Sequence, residues 1–167
     1  MFTPSEIFDL AIRLEENGEA FYRANADIIA DSAIQTLILR LAEDEKEHRE
    51  CFEGFKRSCE ALGLGSEMDS VSGQMLQDII GKRAFSLDEV EVARVESEAD
   101  LYRHAIEFEK DTIVFYEMIR GFLTDSAAIE QIDRIIDMEK SHVDQLSAQL
   151  RVIEKRGRTL KIPVTGH

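Results

Sequence analysis

The chain repeats itself after 94 residues: AIRLEENGEAFY at residues 11–22 returns as AIEFEKDTIVFY at residues 105–116. A second stretch keeps the same shift, since AEDEKEH at residues 42–48 returns as IDMEKSH at residues 136–142. Apolar residues recur at three- and four-residue steps through these stretches, which is typical of amphipathic helices. Each half of the chain is therefore predicted to be a helix hairpin of the same design.

Capping signals set the boundaries of the predicted helices. Thr3-Pro4-Ser5-Glu6 forms a capping box with proline at the first helical position, and Asp31-Ser32 can cap the second helix. Four helices are predicted in a single domain spanning residues 1–167, at residues 4–29, 32–62, 97–121 and 126–155. The remaining segments are predicted to be a long, partly helical crossover at residues 63–96 and a tail at residues 156–167 that frays or contacts a partner.

The composition supports one folded bundle. The chain has 167 residues, of which 44% are hydrophobic, so it can bury a sizeable core. Two helix hairpins joined by a long crossover are predicted to make an all-α four-helix bundle. No run of about 18 apolar residues could span a membrane. The formal charge of −14 disfavours binding to nucleic acids or anionic membranes, because their phosphates repel it.

The cysteines and the N-terminus favour a cytoplasmic location. Cys51 and Cys59 would lie about 12 Å apart along one helix, too far for a disulfide, so free thiols in a reducing compartment are expected. The first residues, MFTPSEIFDL, lack the basic and apolar regions of a secretory signal. No C-x-x-C pair occurs, which argues against cysteine-ligated zinc or a rubredoxin-type iron site.

Each half contains a glutamate followed thirty residues later by a Glu-x-x-His pair. Residues three apart share one helix face, and residues level with each other in an antiparallel hairpin are equidistant from its turn. The midpoints of the two spacings fall at residues 30 and 124, where the capping signals place the turns. Six side chains are therefore expected to converge at one level of the core: Glu15, Glu45, His48, Glu109, Glu139 and His142.

Four carboxylates cannot share a dry core as bare anions, because desolvation and mutual repulsion would protonate them. Two divalent cations would neutralise the cluster, and mixed oxygen and nitrogen ligands suit iron or manganese, with zinc as a further substitute. The remaining acidic excess is then a solvated surface. The alternative is that all these acids lie on solvated helix faces.

The four stretches resemble the rubrerythrin branch of the ferritin-like di-iron carboxylate proteins, over residues 4–62 and 97–150. The resemblance implies a ferritin-like bundle with two iron ions. It implies three pairs of ligands, which are terminal carboxylates, bridging carboxylates and nitrogen donors: Glu15 with Glu109, Glu45 with Glu139, and His48 with His142. It also implies that Tyr22 and Tyr116 hydrogen-bond the ligands, ordinary core packing being the alternative.

The chain departs from the family pattern in two ways. Rubrerythrins typically carry an extra glutamate one turn from the helix-3 ligand, but Ile106 and Thr112 stand on either side here, so the site is expected to be symmetric, as in bacterioferritin-type centres. The rubredoxin domain is missing as well, so electrons are expected from a separate donor protein or directly from Fe(II). The other histidines, His104 and His167, are expected to lie away from the ligand face.

The resemblance favours a di-iron oxidoreductase that reduces hydrogen peroxide or dioxygen at the six ligands, which are then also the catalytic residues. A ferroxidase used for iron storage or delivery is the alternative. A non-catalytic, metal-stabilised binding module is a second alternative. A homodimer or a larger homo-oligomer is expected, and a 24-mer would favour storage.

Overall fold

The computed structural model of this chain describes residues 4–61 and 95–159, which form four long α-helices. Their bounds are Pro4–Asn25 (α1), Ser32–Ala61 (α2), Glu98–Phe122 (α3) and Ser126–Thr159 (α4). The described part of the chain contains no strand. The all-α four-helix bundle that the repeat predicts is therefore confirmed, with α1 and α2 packed as one hairpin and α3 and α4 as the other.

The two hairpin turns have equivalent helix-capping contacts, as the repeat predicts. Asp31 accepts hydrogen bonds from the backbone N–H groups of Ala33 and Ile34 at 2.9 and 3.3 Å. Its repeat equivalent, Asp125, accepts one from the N–H of Ala128 at 2.8 Å. Both caps satisfy donors that an α-helix leaves without an intrahelical partner at its N-terminus. The second helix of each hairpin therefore begins at the same place in the repeat.

Two boundaries differ from the predicted ones by more than one residue. The predicted first helix runs to residue 29, but α1 ends at Asn25 and a 3-10 turn follows at Ala26–Ile28. The Asn25 amide donates to the Phe21 carbonyl at 3.0 Å and accepts from the Val95 N–H at 3.0 Å. These side-chain hydrogen bonds compete with continuation of the helix.

The last helix is longer than predicted, because α4 continues from the predicted end at residue 155 to Thr159. A single glycine at position 157 is tolerated inside a helix at a cost of about 1 kcal/mol. The predictions for the crossover at residues 63–94 and for the tail beyond residue 159 lie outside the described residues.

The core consists of two apolar clusters, one toward each end of the bundle. One contains Ile7, Phe8, Ala11, Leu14, Phe52, Phe115, Tyr116, Ile119, Ile132, Ile135 and Ile136. The other contains Tyr22, Ala26, Ile29, Ile38, Leu41, Ala42, Leu101, Tyr102, Ala105, Ile106 and Leu146. Along every helix the predicted ligands fall between residues of the two clusters, as Glu15 falls between Leu14 and Tyr22. The apolar layers therefore enclose the polar level from both sides.

No helix in the described ranges combines the length and the hydropathy needed to cross a membrane.

Candidate metal centre

The structure brings the six predicted ligands together at one level of the core. Each is at most 3% exposed. The first helix of each hairpin contributes one carboxylate, and the second helix contributes one carboxylate and one imidazole. The set is Glu15 from α1, Glu45 and His48 from α2, Glu109 from α3, and Glu139 and His142 from α4.

These side chains form two overlapping groups, and within each group the potential ligand atoms lie within 4.8 Å of one another. One group adds Glu15 and His48 to a shared pair of carboxylates, and the other adds Glu109 and His142 to the same pair. The shared carboxylates are Glu45 and Glu139. A carboxylate common to two groups of ligands is placed to bridge two cations.

Both imidazoles turn their Nδ1 atom toward the carboxylates. The Nδ1 of His48 lies 2.9 Å from Glu139 Oε1 and 3.8 Å from Glu15 Oε1. The Nδ1 of His142 lies 2.9 Å from Glu139 Oε2 and 3.7 Å from Glu109 Oε1. The two rings stack with their centroids 6.2 Å apart. Each ring therefore offers its Nδ1 to the centre and its Nε2 to the periphery.

Several oxygen atoms of this cluster are buried and have no hydrogen-bond partner among the described residues. They are Glu15 Oε2, both carboxylate oxygens of Glu45 and Glu109 Oε2. A buried polar atom without a partner is unfavourable, and native proteins contain few of them. Divalent cations would use these lone pairs, and the oxygen and imidazole donors suit iron. The residues present therefore fit a dinuclear metal centre.

Without metal, protons must balance the charge of the site. Burial raises the pKa of Glu15 to about 7. Burial, together with the neighbouring carboxylates, raises the pKa values of Glu45 and Glu109 well above the ordinary range. Burial also acts on Glu139, but the two imidazoles lower its pKa to about 2. Burial opposes the charged form of His48, yet Glu139 and Glu15 raise its pKa to about 9.

Two buried tyrosines hydrogen-bond predicted ligands across the hairpins. The hydroxyl of Tyr22 donates to Glu109 Oε1, and that of Tyr116 donates to Glu15 Oε1. Burial and the adjacent carboxylates raise both tyrosine pKa values, which keeps both hydroxyls protonated as donors. The structure thus shows the contact with the ligands rather than ordinary core packing alone. His104 is exposed, away from these residues.

Three residues near the centre were not predicted to take part in it. Asp44 lies 3.3 Å from the outer nitrogen of His142, a contact between residues 98 positions apart. Among the residues that the structure describes, the buried hydroxyl of Thr112 has no hydrogen-bond partner. A Cβ added to Gly18 would lie 3.2 Å from the Cγ of Glu45. The repeat could have pointed to these residues, because its two halves differ at their positions: Asp44 aligns with Met138, and Gly18 aligns with Thr112.

The chain is similar to known proteins in sequence and in fold. A family model described as Rubrerythrin matches residues 6–150. The chain is also similar to a Thermotoga maritima protein, described as a ferritin-like diiron-carboxylate protein, whose crystal structure was determined at 2.30 Å resolution. The two are 26% identical with a TM-score of 0.68, over 90% of this chain and 95% of that one. No curated protein matches the chain.

Proposed function

The chain belongs to the rubrerythrin family, and from that premise we propose that it is a non-haem di-iron oxidoreductase that reduces hydrogen peroxide or dioxygen. The observation that carries the proposal is the pair of overlapping ligand groups that share Glu45 and Glu139. Two groups with shared carboxylates suit a pair of ions acting together, whereas one structural ion would need only one group.

The ligand set decides how the centre would be held. Glu15 and His48 would hold one ion, and Glu109 and His142 the other, while the shared carboxylates would bridge the two. When bound, a pair of iron ions supplies the electrons that cleave an O–O bond. Manganese could use the same donors, and so could zinc, but zinc has no redox chemistry.

Burial restricts the substrate to small molecules. All six ligands are at most 3% exposed, and apolar clusters lie on both sides of them. The described part of the chain therefore leaves no direct route by which a bulky organic substrate could reach these side chains, whereas peroxide and dioxygen are small enough to pass between packed side chains. The same enclosure keeps bulk water from the carboxylates and strengthens their electrostatic interactions.

The electrons are proposed to come from a separate donor protein. Reduction of hydrogen peroxide to water takes two electrons and two protons per molecule. The chain contains no C-x-x-C pair that could hold a second, electron-donating iron. A cytoplasmic location and a homodimer or larger homo-oligomer belong to the same proposal, and size-exclusion chromatography tests the oligomeric state.

Ferroxidase activity for iron storage or delivery is the second candidate, and one residue favours it. The buried Thr112 is one of the two residues that stand one turn from Glu109, Ile106 being the other, and the family typically has a further glutamate one turn from this ligand. The candidate site would then have six ligands, three from each hairpin. In that case Fe(II) is itself the substrate, and no donor protein is needed. A 24-mer in solution would support storage.

Anaerobic loading with Fe(II), followed by one oxidant at a time, tests the proposal. We expect two ions per chain, and ferric absorbance that develops with peroxide or dioxygen. Glu45→Ala should abolish both, because both ligand groups lose a member. Glu43→Ala is the matched control, since Glu43 lies two positions earlier, is 48% exposed and pairs with Arg23 and Lys46.

Three results would contradict the proposal. One is no more than a trace of bound iron in the wild-type chain. Another is oxidation by Glu45→Ala at the wild-type rate, which would disprove the assigned site. A third is iron that binds and raises the melting temperature but stays ferrous with both oxidants, which would leave a metal-stabilised binding module.

A further inference from the structure

The outer nitrogen of one histidine has a carboxylate partner, and the other does not. His142 Nε2 lies 3.3 Å from Asp44 Oδ2, while Nδ1 of the same ring lies 2.9 Å from Glu139. The His142 ring is thus held at both nitrogens. His48 Nε2 is buried and has no hydrogen-bond partner within residues 4–61 and 95–159.

The repeat explains this difference. Asp44 precedes His48 by four residues on α2, and the equivalent position on α4, four residues before His142, holds Met138. A thioether is only a weak hydrogen-bond acceptor. The six candidate ligands occur in matching pairs, whereas Asp44 and Met138 are a position near the centre at which the two halves of the repeat differ.

We propose that Asp44 is a positioning residue for His142 and makes the two metal positions unequal, the one built from Glu109 and His142 binding its ion more tightly. The inference rests on the metal binding in the proposed function, but not on its redox reaction. A carboxylate that accepts the outer N–H of a metal-bound imidazole fixes the tautomer and ring orientation and makes the other nitrogen a stronger donor. His48 lacks this support.

The size of the effect follows from the exposure of Asp44. Its side chain is 24% exposed, so water can replace part of the lost contact when the residue is changed. Loss of such a supporting carboxylate typically lowers metal affinity by about 10- to 100-fold. We expect the lower half of that range, and we expect it in one binding step only.

Cobalt titration tests the inference without redox chemistry. Metal is first removed from the protein with a chelator, and Co(II) is then added in the presence of a competing chromophoric chelator. Wild type should bind two Co(II) ions in separate steps, about tenfold or more apart. Asp44→Met copies the other half and should weaken the tighter step until the two nearly coincide. Asp44→Asn retains a neutral hydrogen-bond acceptor, so the affinity of the tighter step should fall less than in Asp44→Met. Met138→Asp should strengthen the weaker step instead.

Proton NMR of the cobalt-loaded protein assigns the steps to the histidines. The outer N–H of each Co(II)-bound imidazole gives a shifted, exchangeable resonance. In wild type one resonance should exchange slowly with solvent, and Asp44→Met should make it exchange as fast as the other. Met138→Asp should slow the second resonance.

The outcomes separate the two ideas. If no cobalt or iron binds, the dinuclear site of the proposed function is wrong. If two cobalt ions bind with equal affinity in wild type, or if Asp44→Met changes neither step or both equally, only the role of Asp44 is wrong. If Asp44→Met fails to fold, Asp44→Asn and Met138→Asp still decide, since an unchanged gap between the two steps in both variants overturns the inference.

Discussion

The hydroxyl of Tyr22 on α1 donates a hydrogen bond to the carboxylate of Glu109 on α3, 87 positions along the chain and in the other hairpin. Its repeat equivalent, Tyr116, donates to Glu15 in the opposite direction. Each hairpin therefore supplies the donor that orients a carboxylate of the other. Docking of the two hairpins and assembly of the candidate centre are consequently one event.

Removing either tyrosine hydroxyl should weaken both the fold and metal binding. Tyr22→Phe leaves the side-chain volume almost unchanged but deprives Glu109 of its donor. We expect the metal-free protein to lose about 1–3 kcal/mol of unfolding free energy. We also expect one metal-binding step to weaken by about 10- to 100-fold. Tyr116→Phe should do the same through Glu15. Thermal melts and chelator competition measure both effects.

Tyr102→Phe is the matched control, since Tyr102 is fully buried but donates to Glu98, at 3.3 Å, rather than to a candidate ligand. It should lose about 0.5–1.5 kcal/mol and bind metal like wild type. If all three variants bind metal as tightly as wild type, the tyrosines only pack the core and the hydrogen bonds do not position the ligands.

The sequence predicts helix faces better than it predicts helix neighbours. Tyr22 lies seven residues after Glu15, so the helical period places both on one face. Its partner is nevertheless Glu109, because the hydroxyl reaches across the bundle to the other hairpin. The contact of Asp44 with His142 also joins residues far apart in the chain. The period of one helix carries no information about which side chains the next helix brings opposite.

The level of the centre was predictable for a different reason. It depends only on equal distances from a turn, and capping residues such as Asp31 and Asp125 mark the turns in the sequence. The end of α1 was not predictable, since Asn25 bonds the N–H of Val95 from a distant part of the chain. Local signals thus fix where the ligands meet, whereas long-range contacts fix details around them.

The metal-free protein should lose stability as the pH rises from 5 to 9. Burial raises the pKa of Glu15 from 4.5 to about 7, so its stabilising proton is fully present below pH 4.5 and is lost as the pH rises to 7. The pKa values of Glu45 and Glu109 are raised in the same direction. The pKa of His48 is raised to about 9, so its contribution is lost as the pH passes 9.

The expected size can be stated for Glu15 alone. A pKa raised from 4.5 to about 7 corresponds to about 3 kcal/mol, or a decrease in melting temperature of roughly 6–12 °C in a protein of this size. Below pH 4.5 the sign reverses, because the pKa of Glu139 is lowered to about 2 and its contribution is lost as the pH falls. Melting temperatures measured in the presence of a chelator across pH 3–9 test both the loss of stability at low pH and the loss at high pH.

Bound metal should reduce the loss of stability that we expect between pH 5 and 9. Divalent cations compete with protons for the same carboxylates, so the rise in melting temperature on adding zinc should grow with pH. Glu45→Gln should flatten the dependence in the chelated protein, because it removes one buried acid. A metal-free melting temperature that climbs steadily from pH 5 to 9 would show that the buried carboxylates ionise freely.

Gly18 separates steric effects from helix propensity at the centre. An added Cβ would lie 2.9 Å from Phe108 Cε1 and 3.2 Å from Glu45 Cγ. Alanine gains about 1 kcal/mol over glycine within a helix, but crowding in a packed core costs about 1–3 kcal/mol. We therefore expect Gly18→Ala to be neutral to about 2 kcal/mol less stable. It should also bind metal more weakly, because Glu45 must shift.

Gly121→Ala is the control without crowding, because no atom from the described parts of the other helices or from a nearby side chain lies within 4 Å of its added Cβ. It should gain about 0.5–1 kcal/mol and bind metal normally. Phe108→Leu tests the cause, since leucine lacks the ring atoms that an alanine at position 18 would contact. The other half holds Thr112 with Leu14 at the equivalent positions. The loss of unfolding free energy in the double variant Gly18→Ala, Phe108→Leu should therefore be smaller than the sum of the losses in the two single variants. We expect a difference of at least about 0.5 kcal/mol, measured by urea unfolding. Strict additivity would show that the clash with Phe108 does not explain the need for glycine.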